Sequence, residues 1–327
     1  MNNRLVLTMG DPAGVGPEIC LKLLANHDVG IRPVIIGDCA ELARQSLRLG
    51  LPLQIAQIDS PSASSPEPGK VEVLQAGSLP RPVIMGQVDA CCGQIAFDSV
   101  KLAIDLALAG EIGGLVTAPI HKAAMAAAGI KFPGHTEILA HYSSAARVAM
   151  MLANEQLRVV LVSIHVSLRE AIAACTLESQ RYAIQLAHEG ARAFGIAKPR
   201  IAVAGLNPHA GESGLFGREE IDVIKPAIDL AIAEGLDVSG PWPGDTIFMQ
   251  AREGRFDIVV AQYHDQGLIP IKYLGIAEGV NVTLGLPFVR TSPDHGTAFD
   301  IAGSGSADES SLVYAYRQAL KLQRAAA

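Results

Sequence analysis

RIAVAGLNPH, residues 200–209, and DIVVAQYH, residues 257–264, decide the fold. Each is a short apolar run without polar alternation, as expected of a strand buried on both faces. Between them, residues 219–234 carry a helical pattern that Gly235 stops. Strand, helix and strand in that order belong to an α/β fold with a mainly parallel sheet.

The same alternation extends outward. Strands are expected at 5–9, 33–37, 114–117, 147–152, 157–164 and 280–283, with 147–152 and 157–164 as neighbours. Helices are expected at 17–25, 40–49, 93–109, 120–128, 178–194 and 310–326. Residues 60–70, SPSASSPEPGK, read as a tip or crossover too short for a tether between domains. No internal repeat is present.

Four apolar runs end in histidine: RVVLVSIH at His165, RIAVAGLNPH at His209, DIVVAQYH at His264 and GGLVTAPIH at His121. In open α/β sheets ligands bind beyond the carboxyl ends of the strands. One histidine there is ordinarily a loop residue. Several point to a metal or catalytic site assembled from distant segments.

Composition bounds the rest. The chain has 327 residues, 49% of them hydrophobic, and a formal net charge of -7. It is long enough for one large domain or two lobes. No basic block marks a nucleic-acid partner, and no apolar stretch is long enough to span a membrane. The start lacks a signal-peptide pattern. Cys20, Cys39, Cys91, Cys92 and Cys175 have no CxxC spacing. They read as small buried hydrophobes in a reducing cytoplasm.

Five segments could carry chemistry. GDPAGVGPE, residues 10–18, joins a strand to a helix, and its glycines permit tight turns; it is neither GxGxxG nor a Walker loop. In residues 132–137, FPGHTE, His135 and Thr136 suit an anionic group, although Thr136 could simply cap a helix starting at Glu137. NPHAGE, residues 207–212, is denser in polar groups than a plain connection requires. In residues 262–267, YHDQG after Gln262, Asp265 could be a ligand, an orienter of His264 or a helix cap. Lys272, Asn281 and Arg290 follow, and could bind phosphate and carboxylate. TSPDHGTAFDIAGSG, residues 291–305, is a glycine-rich loop suited to a nucleotide. No nucleophile elbow, HExxH helix or cysteine nucleophile motif is present.

GDPAGVGPE, TAPIHK, PGHTE, LNPHAGE, YHDQGL, NVTLGLPFVRTS and DHGTAFDIAG occur in this order across nearly the whole chain. This set closely resembles the 4-hydroxythreonine-4-phosphate dehydrogenases of vitamin B6 biosynthesis. The resemblance implies a fold like that of the isocitrate and isopropylmalate dehydrogenases, with two α/β/α lobes around a cleft, and not a Rossmann fold. It places residues 1–125 plus 270–327 in a nucleotide-side lobe and 126–269 in a metal and dimerisation lobe. It implies His165, His209 and His264 as metal ligands, and His135, Thr136, Lys272, Asn281 and Arg290 as substrate contacts. It gives His121 no ligand role. His295, Gly296 and Thr297 resemble an adenosine-binding loop. Asp308 stands where that loop commonly carries an adenine-reading Asn, which leaves NAD against NADP open.

The implied protein is a cytoplasmic homodimer with its active site at the subunit interface. It uses NAD or NADP and one divalent metal per site, with zinc expected and magnesium or cobalt as alternatives. The implied reaction oxidises 4-phosphooxy-L-threonine at its 3-hydroxyl to 2-amino-3-oxo-4-phosphooxybutanoate, which decarboxylates to 3-amino-2-oxopropyl phosphate. HVSLREA and GLFGREE equally resemble a related branch that acts on 4-phospho-D-threonate or 4-phospho-D-erythronate.

Overall fold

Strands form where the branched apolar runs stand, and their burial is nearly complete. The computed structural model describes residues 4–275 and 278–326. The chain divides into two units, one running up to Val148 and resuming at Leu286, the other comprising Ala149–Gly285.

In the first unit, in chain order, stand β1 (Leu5–Thr8), α1 (Gly16–Asn26), β2 (Val34–Gly37), α2 (Cys39–Arg48), β3 (Gln54–Ile58), β4 (Lys70–Gln75), α3 (Ala90–Leu108), β5 (Gly114–Thr117), α4 (Lys122–Ala127) and α5 (His135–Ser143). The second unit holds β6 (Ala149–Ala153), β7 (Arg158–Leu161), α6 (Leu168–Ala174), α7 (Leu177–Ala193), β8 (Ile201–Ala204), α8 (Lys225–Ala233), β9 (Val238–Trp242), α9 (Ile247–Arg252), β10 (Ile258–Ala261), α10 (His264–Tyr273) and β11 (Val280–Leu284). The chain then returns to the first unit with β12 (Val289–Pro293) and α11 (Ser310–Ala326).

The first unit's strands lie in the order β3-β4-β2-β1-β5-β12, and each pairs in parallel with its neighbours in that row. Val6, Val34, Ile36 and Leu115 from the sheet pack with Val100, Ala103 and Ile104 from α3. In the second unit the order is β11-β6-β7-β10-β8-β9. Here β7, β10, β8 and β9 are parallel, while β6 runs antiparallel to both neighbours. The reversal from β6 to β7 follows from Asn154, whose side chain accepts from the N–H groups of Gln156 and Leu157. That closes a tight hairpin where a parallel pair would need a long crossover. Val159, Ala202 and Val259 centre this unit's core against Phe248 and Leu268.

Local chemistry sets the helix starts. Asp38 and Asp89 accept from backbone N–H groups in the first turns of α2 and α3. Ser167 with Glu170, and Thr176 with Ser179, form capping boxes on α6 and α7.

Several expectations shift. Of the two readings of residues 60–70, the crossover holds, joining the parallel strands β3 and β4 with Lys70 as the first residue of β4. Residues 219–234 are not one α-helix. Glu220–Ile224 forms a π-turn before α8, beside Pro226, whose missing N–H cannot support a regular turn. The division between units falls at 148/149 and 285/286. The cause is packing: α5 lies on α3, α10 lies on β7 and β10, and β11 pairs with β6.

Cys20, Cys92 and Cys175 are buried, Cys39 and Cys91 half-buried, and all five are free thiols. Burial pushes the Cys92 and Cys175 thiols up to about 12 and about 11, which disfavours nucleophilic thiolates. Among the described residues, no helix is long and apolar enough to cross a membrane.

Candidate active site

In the second unit β7, β10 and β8 are neighbours and parallel, so their carboxyl ends share one edge. His165 follows β7, His264 opens α10 directly after β10, and His209 stands in the turn after β8. The His165 and His264 rings lie 5.7 Å apart between centroids. The His264 Nδ1–H donates to Asp265 Oδ1 at 2.7 Å, which leaves Nε2 as the free acceptor. A carboxylate behind an imidazole fixes its tautomer and raises its basicity toward a cation. Of the three roles read for Asp265, orienting His264 is the one this geometry displays.

His209 does not join that pair. Among the described residues, no three His, Cys, Asp or Glu side chains gather into a metal-binding group. The reason is local. His209 is held on its own turn, with Nδ1 3.3 Å from Glu212, and its side chain is 63% exposed. Within the segment Pro208–Gly214, His209, Ala210, Gly211, Glu212 and Ser213 all have positive φ, between 42° and 80°. Such left-handed backbone costs about 1–2 kcal/mol for each residue other than glycine. A plain connection would not carry four such residues.

The three strand ends are cross-tied. Ser163 Oγ donates to the carbonyl of Gln262, and Gln262 Nε2 donates to the carbonyl of Ala204. Gln266 Nε2 reaches the carbonyl of Gly205, while its oxygen accepts from the N–H of Gln262. A cavity of about 500 Å³ opens beside this tie, lined by Leu206, His209, Asp245, Phe248, Tyr263 and Asp265 among others. Lys272 lies exposed in the last turn of α10. Asn281, on β11, donates from Nδ2 to Met150 Sδ, and its Oδ1 is buried with no hydrogen-bond partner.

In the first unit the carboxyl ends of β1, β5 and β12 also share an edge. The glycine loop after β1 is sewn to the other two, with the Asp11 N–H on the Pro119 carbonyl and the Val15 N–H on the Thr297 carbonyl. A Cβ on Gly14 would stand 2.9 Å from the Thr297 oxygen, so only glycine fits there. His295 Nδ1 lies 2.9 Å from the Gly296 carbonyl, and its Nε2 is buried with no partner. Gly296 has open space on the side where a Cβ would stand. An orphaned ring nitrogen beside accessible backbone could hold the sugar or phosphate of a dinucleotide. Asp308 accepts from the Ser310 N–H at the start of α11, and hydrogen bonding to the Ser310 side chain, then to this N–H, lowers its carboxyl below the usual range.

Arg290 is 2% exposed on β12, and its Nη2 donates to Thr117 Oγ1 at 2.7 Å. Burial lowers its guanidinium to about 9. His135 opens α5, and Gly134, not Thr136, occupies the cap position. The His135 Nε2 is buried and unpartnered. Burial, then the charge of Arg290, holds this imidazole well below its ordinary value, so it is neutral at pH 7. His121 has a structural task. It accepts from the Ala124 N–H as the cap of α4 and stacks on Phe299, 4.3 Å between ring centroids.

The sequence reading missed the supports of this site. Asp11 has no exposed surface, its Oδ2 lacks a partner, and burial raises its carboxyl to about 6. Glycines dominate that loop's sequence signal and mask the carboxylate. Gln262 is a second support, and a buried amide ending an apolar run is a signal for a cross-strand tie.

An α/β chain with imidazoles at one strand edge and a glycine-rich nucleotide-type loop at another is of the dehydrogenase class. Residues 30–319 match the family model described as pyridoxal phosphate biosynthetic protein PdxA. A 4-hydroxythreonine-4-phosphate dehydrogenase of Beijerinckia indica subsp. indica is 57% identical over 323 residues, 99% of this chain and 96% of that one. A D-threonate 4-phosphate dehydrogenase of Pectobacterium atrosepticum is 42% identical over 98% of this chain and all of its own length. The crystal structure of a 4-hydroxythreonine-4-phosphate dehydrogenase from Klebsiella pneumoniae superposes with a TM-score of 0.91 at 42% identity, covering 98% of this chain and 100% of that one. The chain belongs to the PdxA family of 4-hydroxythreonine-4-phosphate dehydrogenases and is an oxidoreductase.

Proposed function

We propose that this enzyme oxidises 4-phosphooxy-L-threonine at its 3-hydroxyl, with NAD or NADP and a divalent metal, to 2-amino-3-oxo-4-phosphooxybutanoate. That β-keto acid loses CO2 to give 3-amino-2-oxopropyl phosphate. The observation that carries this reading is the 57% identity, end to end, with a relative of that name. The second reading, oxidation of 4-phospho-D-threonate or 4-phospho-D-erythronate, draws on the relative named for D-threonate 4-phosphate.

The donor chemistry fits a transition ion. His165 and His264 are paired nitrogen donors, Asp265 orients one of them, and His209 stands exposed on the same edge. Imidazole suits zinc or cobalt better than magnesium. Bound there, a divalent cation supplies Lewis acidity that lowers the pKa of a substrate hydroxyl. The nicotinamide cofactor supplies the hydride acceptor. His295, Gly296 and Thr297 hold its adenosine side, and Asp308 lies next to it.

The chain's own residues bind and orient the substrate. Arg290 and Lys272 take its anionic groups. Arg290 is aimed by Thr117, so its fork is fixed before substrate arrives. His135 is neutral and donates or accepts one hydrogen bond without adding charge. Thr136 adds a hydroxyl, and Asn281 offers its buried amide oxygen. A cytoplasmic setting agrees with five free thiols.

His209 completes the ligand set of a second copy in a homodimer, in lobes of the isocitrate dehydrogenase kind. Its exposure, and the exposed apolar Val166, Leu168, Ile172, Leu215 and Phe216 in the same unit, support that arrangement. Parallel turnover assays with the two phosphorylated substrates test the reaction. Faster turnover of 4-phospho-D-threonate would replace the first reading by the second.

A further inference from the structure

The turn that carries His209 is wound in an unfavourable hand. Five successive residues, His209–Ser213, lie in the left-handed region, and only Gly211 among them is free of a side-chain penalty there. The turn closes on itself in the tight 3-10 manner, with the Ala210 N–H on the Asn207 carbonyl and the Leu215 N–H on the Glu212 carbonyl at its ends. A further anchor comes from outside it. Glu220 is 3% exposed, and its carboxylate points into the base of the turn. One oxygen accepts from the N–H groups of Leu206 and Asn207, at 2.8 and 2.7 Å. The other accepts from Asn207 Nδ2 at 2.9 Å. Asn207 Nδ2 also meets Glu219, at 2.6 Å. A Cβ on Gly211 would stand 2.7 Å from the second Glu220 oxygen, so the turn is wrapped directly on the carboxylate.

The placement of Glu220 has a cause in the chain. It is the first residue of the π-turn before α8, where the helix widens ahead of Pro226. A buried carboxylate that meets three N–H donors is satisfied, while an amide in its place would set an NH2 group against donors.

We infer that Glu220 is a positioning residue for His209. It pins the left-handed turn His209–Ser213 at its base, through Leu206 and Asn207, and so aims the imidazole that the turn carries. This rests on the reading of His209 as a metal ligand. Neither residue type nor spacing in the sequence marks Glu220 for that task, since GREE reads as the polar start of an ordinary helix.

The test uses the full-length protein and Zn2+ titration, with circular dichroism to confirm folding. Glu220→Gln weakens Zn2+ binding by about tenfold to a hundredfold, the range for residues that orient a ligand. With Co2+ in place of Zn2+, its visible absorption band changes shape, which a merely less stable protein would not produce. Asn207→Ala removes one of the three ties to Glu220, together with the bond to Glu219, and shows the same loss to a smaller degree should the first variant fail to fold. In Glu220→Gln, adding Ala210→Gly lowers the strain of the turn and recovers part of the affinity. His209→Ala is the control. Wild-type Zn2+ affinity and an unchanged Co2+ spectrum in Glu220→Gln or, if that does not fold, in Asn207→Ala overturn the positioning role, while a loss in His209→Ala keeps the ligand reading intact. Undiminished Zn2+ affinity in His209→Ala overturns both.

Discussion

Gln262 Nε2 donates to the main-chain carbonyl of Ala204 at 2.8 Å, so the end of β10 is tied to the end of β8. The strands that lead to His264 and His209 are thereby held in register at the edge where their side chains emerge. Gln180 closes the tie from α7 by donating to Gln262 Oε1 at 2.6 Å. Gln262→Leu keeps the volume and strands these buried partners. Its cost is about 2–4 kcal/mol for the buried hydrogen bonds lost to Ala204 and Gln180. Thermal unfolding checks this, and a midpoint equal to wild type contradicts the tie.

Asp11 gives a pH signature. Its carboxyl is raised from 3.8 to about 6, mainly by burial. Between those values the folded state holds a proton that the unfolded state has released. Stability therefore falls as pH rises from about 4 to 6, and the loss is complete above that. Asp11→Asn keeps the acceptor that meets the Ala13 N–H. It should stabilise the protein at pH 7.5 by up to about 3 kcal/mol, with the gain vanishing near pH 4. Melting curves of both proteins across that range give the answer, and a gain independent of pH would assign it to something other than ionisation.

Arg290 tests anion binding. Arg290→Lys keeps the charge and loses the planar fork aimed by Thr117. KM for the phosphorylated substrate should rise about 10- to 100-fold, the worth of a charge-assisted hydrogen bond, with kcat changed less. An unchanged KM removes Arg290 from the substrate site.

His209 and His264 test the shared site. If the ligands come from two subunits, His209→Ala and His264→Ala are each inactive alone. Mixing them with subunit exchange restores about a quarter of wild-type activity, because half the dimers are mixed and each of those has one intact site. No recovery on mixing would mean that a single chain owns all three ligands.

Much of the fold could be read from residue patterns because its strands are buried on both faces. Val159, Ala202 and Val259 leave an unbroken apolar signature. β3 is hidden because it stands at the sheet edge, where exposed residues such as Gln54 and Gln57 blur the period. β12 was missed because its buried residues include Arg290, Thr291 and Ser292, which read as polar loop. The histidines at the strand ends were visible, since each follows an apolar run. The partition among them was not. His121 became a helix cap through a contact with Ala124, and His209 left the pair through backbone angles that no local composition specifies. Glu220 and Gln262 act across 13 and 58 residues of chain, and a sequence pattern does not encode such distances.

The most direct measurement is a side-by-side turnover assay with saturating NAD and NADP in turn and excess Zn2+, following reduced nicotinamide absorbance. The expected kcat/KM for 4-phosphooxy-L-threonine is at least about tenfold above that for 4-phospho-D-threonate, a difference of about 1.4 kcal/mol in transition-state binding. The reverse ranking would contradict it.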